Sequence, residues 1–178
     1  MVHLRTLTII FLSSLVAFTT ADLLEYSRKV QIGFNQIRDM LNEQDDPDFD
    51  GLQGTVTDVV DSIKNNAWRL NISTKYAVEV IPQGKALDEI WKVLQETYRP
   101  GGNADKVCKK LPVFAKRLEV EKDKGVMSRK RIADAFDKLI QNHGELMYAT
   151  TKFNDSRFPE VMHQANKPLL AAYFSIAH

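Results

Sequence analysis

Apolar residues recur every three or four positions along most of the chain, the spacing of a helix that buries one face. Leu23, Val30, Phe34, Ile37 and Leu41 follow a seven-residue pattern with one polar member, Ser27, and predict a helix over 22–43. Asp22 at its start suits both the cap and the helix dipole. Gly33 weakens the middle by about 1 kcal/mol relative to alanine. A breaker loop over 44–54 leads to a second helix from Thr55 to Ile81, ended by Pro82 and Gly84. The alternating piece Tyr76–Ile81 also fits a short strand, for which the chain offers no partner.

A third helix is predicted over 85–98, with Leu87, Ile90, Trp91, Leu94 and Tyr98 inward. Pro100-Gly101-Gly102 marks a turn, and Asn103 suits the cap of a fourth helix over 104–123 carrying Ala104, Cys108, Leu111, Ala115 and Leu118. Pro112 removes a backbone donor and predicts a kink or split near Leu111. Lys124-Gly125 predicts the end of that segment. A fifth helix over 128–151 has Ile132, Phe136, Leu139, Ile140, His143, Leu146 and Met147 on one face. A last helix over 158–176 turns Phe158, Val161, Met162, Ala165, Leu169, Ala172, Tyr173 and Ile176 inward, and Pro168 predicts a break in it. The expectation is an all-α fold: an antiparallel helical bundle of about five to six helices, because short connections make sequential helices antiparallel neighbours.

The first 21 residues break this pattern. Arg5, an apolar run from Leu7 to Phe18 and then Thr19-Thr20-Ala21 have the layout of a cleaved secretory signal peptide over 1–21. The run is shorter than the roughly 20 apolar residues that span a bilayer. The mature chain, 22–178, then forms a single helical-bundle domain that is secreted, extracellular and, lacking a second apolar span, soluble. It is long enough to bury a core without staples. Cys108 is the one cysteine, so no internal disulfide forms.

The mature chain is electrically neutral, which excludes a general nucleic-acid binder. Charge is nevertheless uneven: residues 22–60 carry nine acids and three bases, residues 99–131 eleven bases and four acids. The basic segment reads either as a solvated face or as a surface for an anionic lipid or glycan.

Few residues suggest chemistry. Asp46, Asp48 and Asp50 before Gly51 match the first half of a calcium loop, but Thr57 stands where the bidentate glutamate belongs, so an acidic solvated loop is the preferred reading. No histidine pair has metal spacing, and no hydrolase, phosphate-loop or dinucleotide motif occurs. Cys108 lies on an apolar stripe and reads as an inert buried thiol or as half of an intermolecular disulfide. Asn154 and Asn71 head N-x-S sequons, of which Asn154 lies in a predicted loop. Arg129, Lys130 and Arg131 follow Ser128; if Ser128 caps the fifth helix they oppose its dipole, and they also fit an anion patch or a processing site.

With no catalytic constellation and no cofactor motif, the chain reads as not an enzyme. The first expectation is a secreted helical binding protein that acts on an extracellular protein. Two alternatives stand beside it: a carrier of a small apolar ligand in a bundle cavity, and a membrane-active protein using amphipathic helices and the basic segment.

Overall fold

The computed structural model describes residues 23–42, 81–118 and 122–178. Five helical stretches fill them: α1 (residues 23–42), α2 (Lys85–Tyr98), α3 (Asn103–Leu118), α4 (Lys122–Thr150) and α5 (Arg157–Ala177). Among the described residues the fold is all-α, without a strand. The signal segment, the helix predicted from Thr55, the strand alternative before Ile81 and the acidic loop with Asp46, Asp48 and Asp50 lie outside the described residues.

The apolar stripes close on one core. Leu23, Val30, Phe34, Ile37 and Leu41 are all buried on α1, joined by Tyr26 and Met40. Ser27 is tolerated on the stripe because its hydroxyl donates to the Leu23 carbonyl at 2.9 Å. The Phe34 ring meets Tyr98 of α2 edge-on, with centroids 5.8 Å apart, and Phe136 of α4 at 6.4 Å. At the crossing with α4, Gly33 leaves its backbone hard against Leu139: a Cβ there would lie 2.6 Å from Cδ2.

Contacts fix the helix directions. Tyr26 reaches Asn142, while Phe34 reaches Phe136, so α1 and α4 are antiparallel. Arg129 reaches Ile176, while Thr150 reaches Met162, so α4 and α5 are antiparallel too. The connection between α2 and α3 departs from the expected reversal. Arg28, Gln31 and Phe34 of α1 meet Glu89, Glu96 and Tyr98 of α2 in that order. Arg38 and Asn42 then meet Asn103 and Lys110 of α3. Both helices therefore advance along α1 in one direction, and residues 99–102 offset the chain without reversing it.

The helices are not split at three points where the sequence predicts an interruption. Pro112 sits inside α3 and Pro168 inside α5, and both helices run on. A mid-helix proline costs about 3 kcal/mol. Downstream of Pro112, Phe114, Ala115 and Leu118 are buried, and downstream of Pro168, Leu169, Ala172 and Ile176. Burial at roughly 1.5–3 kcal/mol for each large side chain offsets the lost bond in both. The backbone of Lys124 and Gly125 is likewise helical, because α4 starts at Lys122. Ser128 is therefore not a cap, and Arg129, Lys130 and Arg131 escape the unfavourable first turn.

Candidate functional site: a cavity between α3 and α5

The turn after α2 sets the position of two cavity walls. The Arg99 N–H closes the end of α2 on the Gln95 carbonyl at 3.0 Å, and Gly102 N–H donates to Arg99 O at 2.8 Å. Gly101 has φ 78°, which favours glycine. Its N–H donates to the Asp105 carboxylate at 2.8 Å, and Lys109 Nζ binds the same oxygen at 2.7 Å. The Lys109 bond, with help from Gly101, holds the Asp105 carboxyl below the ordinary range. Asp105 thus ties the turn to the start of α3, while Asn103 is the first residue of that helix rather than its expected cap, and its side-chain oxygen accepts from Arg38 Nη1 at 2.7 Å.

Beside this turn α3 and α5 enclose a partly open cavity of about 180 Å³. Tyr98, Ala104 and Cys108 line one side, Gln164, Ala165 and Leu169 the other. Small residues at facing stripe positions leave the space: Ala104 and Ala165 fill less volume than the leucines and phenylalanines of the rest of the core. Asp105 supplies a fixed negative charge to the lining.

Cys108 is a free thiol, half-buried. Burial, then the Asp105 charge, pushes its pKa up to about 12, so almost none is thiolate at neutral pH. Both the disulfide and any nucleophilic role need the thiolate.

A buried polar cluster lies behind Tyr98. The Tyr98 and His143 rings sit 4.9 Å apart. The Tyr26 hydroxyl is 3.3 Å from the Asn142 carbonyl and Oδ1 and from Glu145 Oε2. Tyr98 Oη, Asn142 Nδ2 and both His143 ring nitrogens are buried without a protein partner. Burial raises the ionisation of both tyrosines, for Tyr26 with a contribution from Glu145, so both stay neutral hydroxyls. Burial, aided by the charge of His163, lowers His143 from 6.5 to about 4. The unfolded chain therefore takes up a proton that the folded one refuses. Stability from this group is complete above pH 6.5 and falls as pH drops toward 4, by about 2 kcal/mol between pH 6.5 and 5. Urea unfolding across that window should show the slope, and His143→Leu should flatten it. An equal slope in the variant would assign the loss elsewhere.

The other sequence-derived candidates lie apart from the cavity. Arg129 donates through Nε to Ile176 O at 3.1 Å and through Nη2 to Ser175 O at 3.2 Å, satisfying the last carbonyls of α5. Lys130 and Arg131 are exposed within the continuous α4, so proteolysis there requires local opening of that helix. Asn154 is exposed in the turn between α4 and α5. Next to it, Asp155 accepts from Arg157 Nε at 2.9 Å, and Arg157 lies over the Trp91 ring at 5.1 Å. Asn71 lies outside the described residues. Among the described residues no group of three His, Cys, Asp or Glu could hold a metal ion, and no helix is long and apolar enough to cross a membrane.

Sequence reasoning missed the cavity and the Tyr98–His143 pair. The stripe positions Ala104, Cys108 and Ala165 carried the signal, since small residues facing one another across two helices leave a gap; which stripes face each other was the missing fact. Comparison with protein-family models, with curated proteins and with solved structures finds no match for this chain.

Proposed function

We propose that the chain is a secreted, non-enzymatic binding protein whose binding site is the cavity between α3 and α5. The observation that carries this is the partly open, largely apolar space of about 180 Å³. An apolar cavity of about 150 Å³ suffices for benzene, whereas drug-sized ligands need roughly 300 Å³ or more. The ligand is therefore a single ring or a short chain, not a lipid. The high thiol pKa of Cys108 argues for binding over covalent chemistry. Toluene at ten times its dissociation constant should stabilise the protein by about 1.4 kcal/mol, raising Tm by about 3–5 °C. Ala165→Leu, which fills the space, should abolish the shift; an unchanged shift would place binding elsewhere.

Export is the second component of the proposal. Leu23 and Tyr26 are buried, so a cut at Ala21–Asp22 leaves the core intact. Intact-mass measurement of the secreted product should give Asp22 as the first residue and added glycan mass at Asn154, lost in Asn154→Gln. An uncleaved chain would remove the extracellular assignment.

A protein partner is the second reading. Leu170 and Phe174, one turn apart on α5, are exposed and favour it. The membrane-active reading has less support: Phe114 is buried, Trp91 packs on Phe158 at 5.3 Å, and Arg129 is engaged with α5.

A further inference from the structure

Charge and exposed apolar surface coincide on the outer faces of α3 and α5. From Lys106 to Leu118, α3 holds Lys106, Lys109, Lys110, Lys116 and Arg117 and no acid. From Val161 to His178, α5 holds Lys167, two histidines and again no acid. Lys106, Lys109, Val113 and Lys116 recur every three or four positions and so form one stripe, opposite buried Ala104, Leu111 and Leu118. All four are exposed, Val113 by 58%. His163, Lys167, Leu170 and Phe174 form the matching exposed stripe of α5, with Leu170 exposed by 39% and Phe174 by 54%. Lys109 binds Asp105, whereas Lys106, Lys116 and Lys167 make no ion pair with a described residue. The two helices run parallel: Trp91 of α2 packs on Phe158 at the start of α5, and further along Ala104 and Cys108 of α3 share the cavity with Ala165 and Leu169. Equal rise per residue then brings Lys106 level with Lys167 and Val113 level with Phe174. Gln164 and Pro168 line the cavity and are also exposed, so the cavity opens between the two stripes.

We propose that this two-helix face docks the folded protein on an anionic lipid surface, with Val113, Leu170 and Phe174 entering the headgroup layer and Lys106, Lys109, Lys116 and Lys167 meeting the phosphates. Charge complementarity selects the occupant. Solvated lysines around protruding apolar side chains match anionic headgroups over hydrocarbon, whereas an anionic glycan offers Phe174 nothing to enter. The apolar residues on the buried faces of α3 and α5 take no part, so the bundle stays closed on the lipid. That separates this attachment from a membrane-active protein whose helices open, and it holds whether or not the cavity takes a ligand.

The test is co-sedimentation of the protein with vesicles of phosphatidylcholine alone and of equal parts phosphatidylcholine and phosphatidylserine. The acidic vesicles should bind more than about a hundredfold more tightly, since each lysine near such a surface is worth about fivefold, and the difference should shrink as salt is added. The double variant Lys106→Gln, Lys116→Gln should bind acidic vesicles about 25-fold more weakly, and Phe174→Ser about tenfold more weakly. Lys138→Gln, at an exposed position of α4, should stay within about twofold of the parent. All these side chains are exposed, so the variants should keep the parent's circular dichroism. Equal binding to both kinds of vesicle, binding to neither, or a double variant that binds like the parent overturns the proposal. A Phe174→Ser variant with undiminished binding, together with displacement of the parent by heparin, overturns it in favour of an anionic polymer. Leakage of entrapped dye overturns docking of the closed bundle.

Discussion

Phe34→Ala is expected to destabilise the protein by about 3–5 kcal/mol and to lower Tm by about 10 °C. Phe34 has no exposed surface, and its ring makes edge contacts with both Tyr98 and Phe136. Removing it opens a hole where α1, α2 and α4 meet and cancels two aromatic pairs of about 0.5–1.5 kcal/mol each. Relaxation cannot fill much of that hole. Gly33 already presses the α1 backbone against Leu139, so α1 has no room to move toward α4. The cost should accordingly fall in the upper half of the range. Phe34→Leu keeps most of the volume and should recover more than half of the loss. Chemical denaturation of the three proteins checks this; a loss below about 1 kcal/mol for the alanine variant would mean that α1 is not seated as described.

Gly102→Ala should cost about 3 kcal/mol, several times the expected effect of most surface substitutions. A Cβ at Gly102 would lie 2.7 Å from the carbonyl oxygens of Glu96 and Thr97 and 2.8 Å from that of Arg99. All three are backbone atoms at the end of α2, so none can swing aside. The only relief is to unwind the last turn of α2, which moves Tyr98 off the cavity wall. The same variant should therefore also lose toluene binding. Gly101→Ala is the contrast. Its left-handed φ costs about 1–2 kcal/mol, but the surrounding space is open and the cavity should survive. Thermal unfolding with and without toluene separates the two variants. Equal losses would show that crowding at Gly102 is relieved without disturbing α2.

Local periodicity carried the helices a long way. The predicted α2, residues 85–98, coincides with the observed one, and residues 23–42 of the helix expected over 22–43 are helical throughout. Stripe positions such as Ile90, Leu111, Phe136 and Leu169 are buried as expected. The misses arise where tertiary burial overrides a local rule. Pro112, Pro168 and Gly125 are helix breakers in isolation, and each sits in a helix that continues. The run Arg129–Arg131 opposes the helix dipole only if Ser128 is a cap, and Ser128 lies inside α4. Arg129 in fact serves the far end of α5, a partner 47 residues away that no window of sequence displays. The direction of α3 was similarly hidden: a short connection containing two glycines can reverse a chain or offset it, and here contacts with Arg38 and Asn42 decide. The cavity was illegible for the same reason, since it exists only once Ala104 and Cys108 face Ala165.

The pairing of α1 with α4 has a consequence for how the chain is made. Tyr26 meets Asn142 and Glu145 across 116 and 119 positions of sequence, a separation large for a helical protein. Closing so long a loop is slow compared with joining neighbouring helices. During synthesis α1 leaves the ribosome first, at roughly 5–20 residues per second. Its apolar face, with Leu23, Val30, Phe34 and Ile37, then waits several seconds for the segment that will cover it. Over that interval the apolar face of α1 is open to contact with other chains, so the order of synthesis leaves the earliest described helix the longest without its partner.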